Sequence, residues 1–290
     1  MSLYDLAIAP FADFAFMRRA LVGAVILSFG AAPIGVFLML RRMSLMGDAI
    51  SHAILPGAAL GYLFFGLALM PMALGGLLAG ILVALLSGAV SRFTPLKEDA
   101  SLAAFYLLAL AAGVLLISIK GSNIDLLHVL FGTVLALDDG SLIFITMSSS
   151  LTLIALALLL RPLALECADP QFLRSVSGVG GLVHMGFLCL VVINLVAGFQ
   201  ALGTLLAVGI MMIPAASARF WARGLGALML VALLIAIFAS YTGLIISYYF
   251  DLPSGPAIIF MAGAFYLVSL MLGPVGGALQ NFLPHKHRKA

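Results

Sequence analysis

Long apolar runs, each closed off by a charge, a glycine or a proline, recur from one end of the chain to the other. They fall at about 19–40, 46–68, 72–92, 100–119, 141–160, 182–199, 203–218, 224–249 and 255–276. A bilayer's hydrocarbon core asks for about 20 such residues per helix, because each residue advances the helix by only about 1.5 Å. The pattern therefore predicts an all-α fold, a polytopic transmembrane helical bundle of about nine spans. An outer-membrane barrel would instead show short strands with alternating polarity, and no such alternation is visible. Segment 203–218 is the weak member, being short and carrying Pro214, so eight full crossings plus a partial one is the alternative count.

Composition agrees with the pattern. Of the 290 residues, 64% are hydrophobic and 9% charged, and the mean hydropathy is +1.25. A soluble domain could not build a polar shell from so few charges. The net charge of +3 would suit a nucleic-acid partner, but the basic residues stand singly or in pairs between apolar runs, where they act as topology signals. Arg41, Arg42, Arg92, Lys97, Arg161, Arg174, Arg219, Arg223, Lys286, Arg288 and Lys289 face the cytoplasm in the best solution, leaving Arg18, Arg19 and Lys120 outside. That solution puts the N-terminus outside and the C-terminus inside.

The chain is expected to divide into an N-terminal interfacial segment (1–18), a transmembrane domain (19–276) and a basic cytoplasmic tail (277–290). Asp5 and Asp13 take the place of the basic start of a cleavable signal, so the first apolar segment is expected to stay. Cys167 and Cys189 are too few and too scattered for a disulfide framework or a thiolate metal site. In the tail, His285 and His287 stand among Lys286, Arg288 and Lys289, a setting for anionic headgroups.

Against this apolar background the stretch GDAISHAILPG (47–57) stands out. Asp48 and His52 are four apart, which on a helix brings them to one face with β-carbons about 5–6 Å apart. An aspartate within a span costs about 2.5–3.5 kcal/mol on insertion scales, so it faces a bundle interior or a wet cavity. Two structural roles compete with a metal-binding one: Asp48 as a helix cap, and His52 as a histidine satisfied by a carbonyl. Pro56 cannot donate to the carbonyl of His52 and Gly57 loosens the turn beside it, so a free carbonyl is expected there. One Asp and one His are too few for zinc or manganese, but a symmetric pair of chains would double them.

Asp125 and His128, three apart in the outer connection 120–140, are candidates for a secondary metal stop; exposure of both to water is the alternative. That connection is itself apolar between Asp125 and Asp138 and reads either as a short helix lining an entrance or as one lying at the interface. Pro214, followed by Ala215, Ala216, Ser217 and Ala218, reads as a bent packing helix. Met211 and Met212 beside it face apart and are apolar filler, so copper is not the expected cargo.

GDAISHAILPG, GTLLAVGIMMIPAASAR (203–219) and FDLPSGPAIIF (250–260), in this order, resemble the permease subunit of the manganese, zinc and iron ABC importers, over about residues 15–276. The resemblance implies a homodimer in the bacterial inner membrane, two cytoplasmic ATP-binding subunits and an extracytoplasmic metal-binding protein. It assigns intramembrane metal coordination to Asp48 and His52. It also makes the stretch LECADPQFLRSVSG (165–178) an ATPase coupling segment, in which Asp169 and Pro170 start a short helix and Gly178 ends it. The cargo is a divalent metal ion, zinc first and manganese second, with no permanently bound cofactor. A permease for iron or another cargo is the alternative. The chain has no GxxxxGK[ST] loop, so ATP would be hydrolysed on another chain. An intramembrane metalloenzyme is the competing class, opposed by the absence of HExxH and of a third ligand.

Overall fold

The computed structural model describes residues 4, 7–66, 68–119, 137–169 and 180–279. Eleven helices appear among them: α1 (Ala9–Asp13), α2 (Ala15–Leu40), α3 (Met46–Ala53), α4 (Leu55–Phe65), α5 (Leu69–Phe93), α6 (Glu98–Ile119), α7 (Asp139–Ala168), α8 (Gly180–Leu202), α9 (Thr204–Ala218), α10 (Leu225–Phe250) and α11 (Ser254–Leu272). No strand occurs among the described residues. The all-α prediction holds, and element ends fall within a few residues of the hydropathy boundaries in most cases.

Among the described residues, eight helical stretches are long and apolar enough to cross a bilayer, with α3 and α4 together forming one of them. The fifteen-residue α9 is the short one, about 22 Å long at 1.5 Å per residue. Gly203, at φ 92, makes the one-residue break between α8 and α9; side-chain-bearing residues avoid that conformation.

Two helices form the centre. In α2 and α8 alike, 72% of the most apolar stretch is buried, against 22% in α6 and 28% in α7 and α11. The outer helices turn their leucines and phenylalanines outward, as lipid-facing helices do, for lipid tails are as apolar as the side chains they meet. Around α2 pack α7, α8, α9 and α10, while the small helix α3 is held between α5, α6, α8 and α9. Phe37, Ile50, Ile54, Phe187 and Leu188 are fully buried where these helices meet.

Close approach of backbones is set by small residues. A β-carbon on Gly57 would lie 1.9 Å from the carbonyl oxygen of Gly75, and one on Gly35 would lie 1.8 Å from that of Met211. Gly57 is therefore a packing residue between α4 and α5, which corrects the expectation that it loosens a turn. Pro214 lies inside α9, and Ala215 beyond it packs near Gly35, in line with the packing role read from the sequence.

Two boundaries differ from the hydropathy reading. The span at 46–68 is broken at Ile54, because Pro56 takes the second position of a new helix instead of interrupting the old one. The amide of Ile54 turns toward the carbonyls of Ile50 and His52. The hydrogen bond of that amide goes to the Ile50 carbonyl, at 3.1 Å, and Pro56 has no amide to offer His52. Finally, α7 runs on to Ala168, through Arg161 and Pro162, so the inner connection is shorter than predicted. Glu166 can stay in the helix because its charge meets Arg41.

Candidate metal-transport site

α3 is only eight residues long, and its sequence MGDAISHA puts an acidic residue in the first turn and a basic one in the last. Both signs suit the helix dipole. The Asp48 Oδ1 to His52 Nε2 distance is 3.8 Å, with the carboxylate 66% and the imidazole 30% exposed. That is too long for a hydrogen bond. Bonds of about 2.0–2.2 Å from one ion to each atom would span it.

Both side chains open into a cavity of about 450 Å³. Its other walls are Thr204, Leu205, Val208 and Met212 of α9 and Ile259 of α11. The Ser51 hydroxyl donates to the Asp48 carbonyl at 2.6 Å, keeping that hydroxyl on the helix backbone. Behind the imidazole, the Tyr106 ring lies near parallel at 6.1 Å between centroids. Leu45, not Asp48, occupies the N-cap position of α3, so the capping role weighed for Asp48 falls away. The α-carbon of Gly113 lets α6 pass close to Pro56, since a β-carbon there would come within 3.1 Å of the proline nitrogen.

Among the described residues no group of three or more His, Cys, Asp or Glu side chains is placed to hold a metal ion. Asp48 and His52 thus have no third such side chain grouped with them among the described residues.

The remaining predicted positions are distributed as follows. Asp169 follows the last residue of α7 as its C-cap, in an extended conformation with φ −150 and ψ 94. Asp125, His128, Pro170 and Gly178 lie outside the described residues. At the start of α7, Asp138 caps the helix by accepting from the Ser141 amide at 3.0 Å. The Ser141 hydroxyl, followed by that amide, holds the Asp138 carboxyl below the usual carboxylate range.

A second ionic cluster was missed from the sequence. Arg41, Glu166 and His184 come together from α2, α7 and α8, each with a side chain no more than 11% exposed. His184 carried a readable signal, an ionisable residue inside a long apolar run. Arg41 and Glu166 did not, because a charge at a predicted span end is ordinarily a solvated topology marker.

The chain is thus a multi-pass helical bundle with a carboxylate–imidazole pair on the wall of a cavity. The family model of the ABC 3 transport family matches residues 13–273. The manganese import system permease protein ScaB of Streptococcus parasanguinis is 34% identical over 90% of this chain and 92% of its own length. The chelated iron transport system membrane protein YfeD of Yersinia pestis is 32% identical, over 93% of this chain and 89% of its own. Among solved structures, PsaBC from Streptococcus pneumoniae in complex with Fab superposes with a TM-score of 0.79 at 30% identity, covering 95% of this chain and 98% of the other. The chain belongs to the ABC 3 transport family. It is a transport permease and not an enzyme, and ATP hydrolysis falls to a separate partner.

Proposed function

We propose that the chain is the membrane-spanning subunit of an ATP-driven importer of a divalent first-row metal, with manganese as the first cargo. The observation that carries this reading is the Asp48–His52 pair, two ligand side chains 3.8 Å apart on the wall of a cavity. A carboxylate and an imidazole serve manganese, iron and zinc alike, so donor chemistry alone does not order them. The sequence reading ranked zinc first; relatives named for manganese and for iron move manganese ahead of both.

Two such permeases side by side would supply two carboxylates and two imidazoles, enough for one ion, and the site could open when the pair separates. A site shared across an interface holds its ion only in one arrangement, which is what alternating access requires. The expected assembly has two permeases in the bacterial inner membrane, cytoplasmic ATP-binding subunits and an extracytoplasmic metal-binding protein that delivers the ion.

The test is uptake of radioactive manganese, iron and zinc, separately, into vesicles holding the permease with its ATP-binding and metal-binding partners. Manganese is expected to enter with ATP in wild type and not in His52→Ala. Undiminished uptake by a well-assembled His52→Ala complex would contradict the site, and uptake of zinc in preference to manganese would contradict the cargo.

A further inference from the structure

The Arg41 cluster joins three elements that are distant in sequence. One Arg41 Nη donates to Glu166 Oε1 at 2.8 Å and lies 2.6 Å from His184 Nδ1. The guanidinium also sits over the Phe187 ring, 5.0 Å from its centre, a cation–π contact on a fully buried aromatic. Glu166 stands three residues before Asp169 at the end of α7, and His184 four residues after Gly180 at the start of α8. Residues 170–179 connect those two ends. The cluster therefore ties both roots of this connection to one side chain, at the end of α2.

From Arg41 the route to the cavity is short and stiff. Arg42, at φ 61, is a left-handed residue closing α2. Its amide bonds to Met39 and the next, that of Met43, to Leu38, the paired closure usually built on glycine. Met46 then bonds back to Met43, and both methionine side chains are buried. Two residues later comes Asp48. Between Arg41 and α3 the chain thus runs through a short hydrogen-bonded turn anchored by the buried Met43 and Met46.

Among the described residues the cluster is only partly satisfied. Arg41 Nη1 and Glu166 Oε2 are buried and find no hydrogen-bond partner among the described residues. A spare donor and a spare acceptor in an apolar interior are costly if the cluster has one arrangement only. They are useful if it has two.

We propose that Arg41, Glu166 and His184 are positioning residues that couple the ends of the 170–179 connection to the metal-site helix α3, so that movement driven by the ATP-binding partner reaches Asp48 and His52. This rests on the reading of the chain as an ATP-driven permease. Two distinct arrangements of one packed network, biased by both sites, are what such coupling needs.

The experiment measures metal taken up per ATP hydrolysed by the complete complex in vesicles, for wild type, Glu166→Gln and the double variant Arg41→Met/Glu166→Leu. The double variant removes both charges together, which avoids a buried unpaired charge and favours folding. Assembly with the ATP-binding subunit and manganese binding by the permease are measured in parallel. Both variants are expected to assemble and bind metal while uptake per ATP falls by about tenfold or more. A purely structural cluster would give a double variant with the wild-type ratio, and that result overturns the inference. Loss of assembly in both variants would overturn it too, by making the cluster a folding element. Wild type that moves no metal would instead sink the transport reading, so the two failures are told apart.

Discussion

Two charged groups sit on neighbouring elements of this bundle and are built in opposite ways. Asp48 and His52 are 3.8 Å apart and open to a cavity, with the carboxylate 66% exposed. Arg41 and Glu166 meet at 2.8 Å and are sealed, 9% and 11% exposed, with His184 and Phe187 closing over them. A group that must take up and release an ion cannot be paired tightly with a protein charge, since its own partner would compete with the cargo. A group that must hold elements in register has the reverse requirement. On the proposed reading, tightness and exposure separate exchange from positioning, although both groups contain a carboxylate and a histidine.

The comparison breaks most visibly at the open pair. His52→Ala and Asp48→Asn are expected to reduce metal uptake to background, while Asp48→Asn, at the more exposed side chain, shifts stability by no more than about 0.5 kcal/mol. Uptake assays and thermal unfolding of the purified permease check both halves. At the sealed cluster the larger effect falls on stability. Glu166→Leu alone leaves Arg41 buried without its anion and should cost about 3–5 kcal/mol, much of it recovered in the double variant Arg41→Met/Glu166→Leu. A double-mutant cycle on the unfolding midpoint measures that recovery.

Smaller effects sharpen the picture of how the site helix is held. Gly57→Ala would drive a β-carbon to 1.9 Å from the Gly75 carbonyl, forcing α4 from α5 at about 1–3 kcal/mol. Lower thermal stability with intact metal binding is the expected signature. Asp138→Ala, far from both groups, should cost about 1 kcal/mol through the lost cap on α7. Its carboxyl is held below its ordinary value in the folded protein, so the stabilisation is fully present above the unfolded-state pKa. It is lost as pH falls through the depressed folded value. A wild-type stability advantage over Asp138→Ala that shrinks at acidic pH is the predicted trace.

Much of this fold was legible because hydropathy alone decides where a chain can cross a bilayer. Spans such as 182–199 and 224–249 reappear within two or three residues as α8 and α10. The Asp48–His52 pair was legible for the same reason a ligand spacing always is: one helix carries both residues, so four positions of sequence fix their geometry. What failed depended on partners far along the chain. Arg161 and Glu166 looked like the end of a span, yet α7 continues past both, and the counter-charge for Glu166 lies 125 residues away. Gly57 was read as loosening a turn because the backbone of Gly75 that it packs against is not visible in a local window. The break at Ile54 was signalled by Pro56, but the recovery of the helix beyond it depends on packing of α4 against α5 and α6.

The most direct test of the central claim, that the open pair is where the metal sits, is electron spin resonance of manganese bound to the purified permease, read for coupling to an imidazole nitrogen. The account predicts that coupling in wild type and its loss in His52→Ala. The same nitrogen coupling retained in His52→Ala would contradict it.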